Sequence, residues 1–281
     1  MQGDRRQSIL CPNCSKLISA DERSCPHCGV SSPGARWKSI PITREFLRDD
    51  QIIKTIIYAN VGMYIISLLL NPTSLGLSAN PFMLLSPSNR ALILLGSTGT
   101  VPIDQMQRWW TLISANYLHG GILHILFNMI ALRQIGPLVL REYGVNRLIS
   151  LYTFGGTIGF LVSYIAGVRF TLGASAAVCS LIGASLYYGK SRGGTYGQAI
   201  YRQISGWVLG LFIFGLLVPG INNWGHGGGI AAGIFLGFLL GYQERKRENQ
   251  FHKILAMVCV VATVAVLAWA TISSFYYRLF A

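Results

Sequence analysis

Gly173-Ala174-Ser175-Ala176 opens an apolar run that extends to about Gly189. The stretch sets one hydroxyl just inside a segment apolar enough for a membrane helix, with small residues on either side. Small residues let helix backbones approach closely in membranes, so such a serine taken alone is as readily a packing residue as a chemical one. Two questions decide its meaning: whether the segment spans a membrane, and whether the rest of the chain brings reactive partners to the same depth.

Composition answers the first. The 281 residues are 52% hydrophobic and 12% charged, with a mean hydropathy of +0.46. That charge is about half of the roughly 25% usual for a soluble protein. Several apolar runs approach the roughly 20 residues a span needs. Seven spans are predicted: Ile52–Leu70, Leu118–Leu140, Leu148–Gly167, Ala174–Gly189, Ile204–Ile221, His226–Tyr242 and Ile254–Tyr276. Residues 71–108, rich in Pro, Gly, Ser and Asn, form a long loop whose apolar pieces suit the bilayer interface. Met1 to about Asp50 is polar and holds no apolar signal-peptide core, so the N-terminus is expected in the cytosol.

The charge pattern agrees with that orientation. With the N-terminus inside, 19 of the 23 Lys and Arg fall on the inner side, and only Arg90, Arg108, Arg169 and Arg278 fall outside. Excess positive charge marks the cytoplasmic side of a membrane protein. The net charge of +13 is thus explained by topology and attraction to anionic lipid, without a nucleic-acid partner. The expected setting is the inner membrane of a bacterium, with the C-terminus on the outer side.

The first 30 residues carry a separate signal. Cys11-Pro-Asn-Cys14 and Cys25-Pro-His-Cys28 are two Cys-x-x-Cys knuckles. Four thiolates so spaced suit one tetrahedral zinc. Two disulfides are the alternative, disfavoured where thiols stay reduced. Some thirty residues bury little core, so the metal would supply most of the folding energy. The expected division is a cytosolic zinc ribbon at 1–30, a linker at 31–51 and a transmembrane domain at 52–277. The ribbon is read as docking a cytosolic protein or serving regulation.

Topology then supplies depth. The second, fourth and sixth spans all run from outside to inside. His124 and Asn128 lie one to two turns below the outer surface, at about 1.5 Å rise per residue, and share one helix face as an i, i+4 pair. Ser175 and His226 sit at the outer ends of their own spans. Four polar groups therefore meet in one layer. Ionisable groups in membranes are costly and point to function. A serine beside a histidine makes a nucleophile with its general base. An asparagine amide and a second imidazole can donate to the oxyanion that develops on attack. The sixth span adds Gly225, Gly229, Gly233, Gly237 and Gly241, one every four residues. That smooth ridge faces small residues of the fourth span (Ala176, Ala177, Ser180, Gly183, Ala184), which brings Ser175 and His226 together.

These residues resemble the rhomboid family of intramembrane serine proteases. The matching stretches are Trp110 to Asn128 with His-x4-His-x3-Asn, Gly136-Pro137-Leu138-Val139, Gly173-Ala-Ser175, and Gly225-His226-Gly-Gly-Gly. The resemblance implies Ser175 as nucleophile, His226 as base, His124 and Asn128 at the oxyanion site, and His119 in a structural role. It implies an all-α polytopic fold: a rhomboid-like six-helix core plus a seventh C-terminal transmembrane helix, here with the small zinc ribbon in front. It implies cleavage of transmembrane protein substrates near the outer ends of their helices, with no cofactor for catalysis. Three positions depart from the family pattern: Ala176 replaces a glycine, Cys179 replaces an aromatic residue, and Trp110-Thr111 replaces a Trp-Arg pair. Ala176 is expected to tighten the oxyanion site, and Cys179 to leave the base less firmly oriented. Two rivals remain: a catalytically weak or silent relative that binds membrane clients, and a transporter, for which no inverted repeat is visible.

Overall fold

The computed structural model describes residues 8–11, 16–29, 31, 51–70, 84–218 and 220–280. Cys14 and nearly all of the expected 31–51 linker lie outside the described residues. The chain divides into two units, Met1–Ile52 and Ile53–Ala281.

In the first unit, β1 (Ser8–Leu10) pairs antiparallel with β2 (Leu17–Ser19), Ile9 opposite Ile18. Alternation sends Ile18 inward against Cys11 and Cys25, with Ile9 and Cys28 packed around them. Leu10 and Leu17 face out. A hydrogen bond from Cys11 N to Lys16 O (2.9 Å) closes the hairpin on its first knuckle.

The described part of the second unit is mainly helical. Its helices are α1 (Gln51–Leu69), α2 (Asn89–Leu94), α3 (Thr111–Ser114), α4 (Ile122–Tyr143), α5 (Val145–Ile165), α6 (Ser175–Arg192), α7 (Gly194–Leu217), α8 (Asn223–Leu240) and α9 (Gln250–Phe280). Among the described residues five are long and apolar enough to cross a membrane: α1, α4, α5, α7 and α9. Multiple crossings make this an integral multi-pass membrane protein. The other two expected spans, α6 and α8, form as helices of 18 residues each. Their Gly, Ser, His and Lys hold the hydropathy down, because these helices are built to pack. In α6 every residue from Ala176 to Ser185 is buried. In α8 Gly225, Gly228, Gly229, Gly233 and Gly237 are buried while Ile234, Phe235 and Phe238 point outward.

Three boundaries differ from expectation. The second span starts at Ile122 instead of Leu118, so His119 stands in the turn before the helix. Residues 190–203 form no loop: α6 runs to Arg192, Gly193 alone links it to α7, and α7 begins at Gly194. Gly193 has φ +66°, the left-handed conformation glycine adopts without strain. The two helices then meet through Gly189 and Gly197, each leaving no room for a Cβ against the other's backbone. That close packing overrides the polar character of the segment.

The third difference is the outer loop. Its described part is folded. Beyond α2 come a π-helical turn (Val101–Gln105), α3 and a 3-10 turn (Ala115–Tyr117). Thr98 and Thr171 exchange backbone hydrogen bonds of 2.9 and 2.7 Å, and Thr100 N and Val101 N bond to Val168 O and Arg169 O. These bonds fasten the loop to the segment that enters α6. Leu95, Ile103, Ala115 and Leu118 are fully buried beneath it. Finally α9 lies beside α1, where Arg278 donates to Leu69 O (2.6 Å) and Thr271 meets Met63 Sδ (3.9 Å).

Candidate active site

The site is built on the seam between α6 and α8. A Cβ on Gly229 would collide with the Ala176 carbonyl, and one on Gly233 with that of Ser180. One on Gly237 would stand 3.3 Å from Ala184 Cα. The partners advance by four on both helices in the same sense, so the helices run parallel in backbone contact, as a small-residue face allows. Continued by one turn toward the helix N-termini, this register sets His226, in the first turn of α8, opposite Gly173, two residues before Ser175, the first residue of α6. A third helix joins there. Gly159 of α5 lies so close that a Cβ would be 2.8 Å from Gly225 O and 3.1 Å from both Ala176 Cβ and Gly229 N.

Gly173 positions the entry. Its φ of +130° suits glycine, and a Cβ there would run into the His124 ring, 2.7 Å from Nε2 and 3.6 Å from Ser175 Oγ. His124 Nε2 and the Ser175 hydroxyl therefore share one small space. Gly173 N donates to Ala115 O (2.9 Å), which ties this turn to the outer loop. Gly120 N donates to His124 Nδ1 (3.3 Å). A neutral His124 that accepts on Nδ1 carries its proton on Nε2, the nitrogen beside Ser175. Asn128, six residues into α4 and so about 9 Å along it, is buried and donates to His124 O (2.8 Å). His119, fully buried, packs its ring edge-on against His124 at 5.1 Å between centroids.

Ser175 and His226 thus lie in the first turns of α6 and α8, with the His124 ring beside Ser175 and Asn128 one turn further along α4. Ser175 and His226 are not hydrogen-bonded to each other among the described residues. His226 Nδ1 is buried without a hydrogen-bond partner. Catalytic hydrogen bonds are often long before substrate binds and tighten afterwards.

The two departures near Ser175 can be located. The Ala176 methyl turns toward α5, in a cluster with Ile103, Leu112, Ala115 and Phe160. It therefore packs the core beneath the site. The Cys179 side chain faces Gly229 across the seam, 3.1 Å from where a Cβ would stand. Cys179 is small enough there to allow the helices their close approach.

Sequence reasoning missed Asn222. It caps α8 by accepting from Gly225 N (2.9 Å), and its amide reaches Ser163 Oγ (2.7 Å) and Thr171 Oγ1 (2.8 Å). An Asn just before a helix is a recognised cap signal, but its distant partners leave no local trace.

In the first unit, Cys11, Cys25 and Cys28 bring their sulfurs within 4.8 Å of one another. Cys11 and Cys28 sulfurs stand 3.6 Å apart. That exceeds the about 2.05 Å of a disulfide and fits two thiolates bound at about 2.3 Å to one tetrahedral zinc. The described cysteines fit a metal.

Fold and site together define a multi-pass helical membrane protein with a serine and two histidines at the N-terminal ends of its packed helices and an asparagine one turn beyond. Residues 106–243 match the Rhomboid domain. RHOMBOID-like protein 4 of Arabidopsis thaliana is 30% identical over 242 residues, covering 80% of this chain and 61% of that protein. RHOMBOID-like protein 5 of the same plant is 40% identical over 164 residues, 56% of this chain and 52% of that protein. Rhomboid protease GluP of Bacillus subtilis (strain 168) is 31% identical over 181 residues, 64% of this chain and 35% of that protein. The chain belongs to the rhomboid family. It spans between about a third and three-fifths of the length of these relatives, and the matched region contains every candidate site residue of the membrane unit.

Proposed function

We propose that the chain is an intramembrane serine endopeptidase that hydrolyses peptide bonds in or near the transmembrane helices of membrane-protein substrates. What supports this reading is that Ser175 and His226 both lie in the first turns of two parallel helices in backbone contact, with His124 Nε2 beside the serine hydroxyl. His226 takes the Ser175 proton as Oγ attacks the substrate carbonyl, then returns it to the leaving amine. Negative charge collects on the carbonyl oxygen. His124 Nε2–H and the Asn128 amide donate to it. So do the first-turn N–H groups of α6, which begins after Ala174 and has no side-chain cap. A water then releases the acyl group by the same proton path. The relative GluP, which carries the name rhomboid protease, supports the reaction class.

The substrate class follows from the site's depth. A bond inside a helix is shielded by the helix's own hydrogen bonds, so small or helix-breaking residues near the outer end favour cleavage. The N-terminal unit lies on the inner, positively charged side in this reading, in the proposed setting of a bacterial inner membrane. There Cys11, Cys14, Cys25 and Cys28 would hold one structural zinc, a bound ion that supplies folding energy and a rigid surface for a cytosolic partner.

A fluorophosphonate probe tests the nucleophile independently of substrate choice. Intact protein in liposomes should acquire one phosphonyl adduct, mapped by mass spectrometry to Ser175 and abolished by His226→Ala. An unlabelled wild-type chain, or an adduct on another residue, refutes the assignment.

A further inference from the structure

We propose that Asn222 is a positioning residue that fixes the axial register of α8 against α6, and with it the distance from His226 to Ser175; this rests on the protease reading above. The glycines of the seam do little to fix that register. Gly229, Gly233 and Gly237 present bare backbone to Ala176, Ser180 and Ala184. Close packing of this kind sets the distance between two helices but offers few side-chain knobs to oppose sliding, and the Tyr187–Phe238 ring contact lies at the far end of the seam from His226. A slide of one residue would move His226 by about 1.5 Å. Something polar and directional is needed at the outer end of the seam.

Asn222 meets that need with every polar atom of its side chain. Oδ1 accepts from Gly225 N (2.9 Å), capping α8, while its backbone carbonyl accepts from His226 N (3.1 Å). The amide orientation follows, because only the oxygen can pair with an N–H. Nδ2 is thereby turned to Ser163 Oγ on α5 and Thr171 Oγ1 on the segment entering α6. Ser163 passes the link on by donating to Gly159 O (3.2 Å), at the three-helix junction. Thr171, four residues before Ser175, is held from its other side by the paired backbone bonds with Thr98. One side chain thus joins the start of the base helix, the segment leading to the nucleophile and the α5 backbone beneath both.

Gly225 takes a new meaning here. A Cβ at 225 would stand 2.7 Å from Asn222 Nδ2 and 3.0 Å from Ser163 Oγ. The first glycine of the four-residue series makes room for this clamp, and the seam proper begins at Gly229.

Two variants separate positioning from capping. Asn222→Ser keeps a cap of comparable quality but is too short to reach Ser163 and Thr171. Thr171→Val is isosteric, removes the acceptor and leaves the cap whole. A displacement near 1 Å at a reacting group can cost about 10²-fold in rate. Both variants should therefore lower kcat on a transmembrane reporter by about 10- to 10²-fold, with KM and the fraction of folded protein at the assay temperature unchanged. The rate of fluorophosphonate labelling at Ser175 should fall in parallel. Wild-type kcat in either variant overturns the proposal, and so does a loss of kcat matched by an equal loss of folded protein. A wild-type chain that neither cleaves nor labels refutes the protease reading itself. That result appears before any variant is made, and the positioning role falls with it.

Discussion

One methyl group at Gly159 should uncouple the site without touching it. Gly159 of α5 faces the point where α6 and α8 come together. An alanine Cβ there would sit 2.8 Å from Gly225 O and 3.1 Å from Gly229 N, both backbone atoms of α8, and 3.1 Å from Ala176 Cβ on α6. Ordinary contact begins near 3.4 Å, so α8 must retreat by about 0.6 Å at its outer end, since backbone cannot rotate away as a side chain can. Overpacking of this kind costs about 1–3 kcal/mol. The displaced turn holds His226, and a shift of that size at the base should lower kcat by at least about tenfold. The assay is reporter cleavage in liposomes, with unfolding followed in parallel. Gly206→Ala on α7 is the control, because nothing lies within 4 Å of its added methyl. If Gly159→Ala cleaves and unfolds like the wild type, the tight three-helix junction is not what positions the base, and the argument fails.

Other outcomes follow from the same geometry. His124→Ala removes the donor beside Ser175 and should lower kcat by about 10²–10³-fold with little change in KM; an equal loss in both parameters' ratio through KM alone would place His124 in substrate binding instead. Asn128→Ala should lose less, since part of its amide is already committed to His124 O; kinetics of the two single variants and the double decide this, and a larger loss at Asn128 contradicts it. The N-terminal unit should bind about one zinc per chain, lost in Cys11→Ser, as measured by metal analysis of purified protein; retention of a full equivalent in that variant rules out the thiolate site. Glu248 accepts from Arg147 N (3.0 Å) and Asn146 Nδ2 (2.8 Å) at the start of α5. Glu248→Ala should therefore cost about 1–3 kcal/mol of stability, read as a lower unfolding midpoint, whereas an unchanged midpoint would show the contact to be dispensable.

Much of this fold could be read from the chain because the bilayer forces the pattern. Long apolar runs such as 254–276 leave little choice but helix. Ser175, His226, His124 and Asn128 could be singled out because polar groups stand out in apolar segments. Glycine every fourth residue announced the α8 ridge.

What escaped reading was long-range. Gly194 to Gln203 looks like a polar loop, yet Gly189 and Gly197 draw it into helix α7. The outer loop takes its shape from bonds between Thr98 and Thr171, far apart in sequence. Asn222 reads locally as a cap, while its partners Ser163 and Thr171 lie 59 and 51 positions away. The effect of Ala176 depended on which way one methyl points. Spacing along the chain cannot give that direction; packing around Phe160 and Gly159 does.

The most direct test of the central claim is cleavage of a generic transmembrane reporter, reconstituted in liposomes with the intact protein or with Ser175→Ala. The account predicts a cut near the outer end of the reporter helix by the wild type, and none by the variant at equal amounts of folded protein. Cleavage that persists in Ser175→Ala would contradict it.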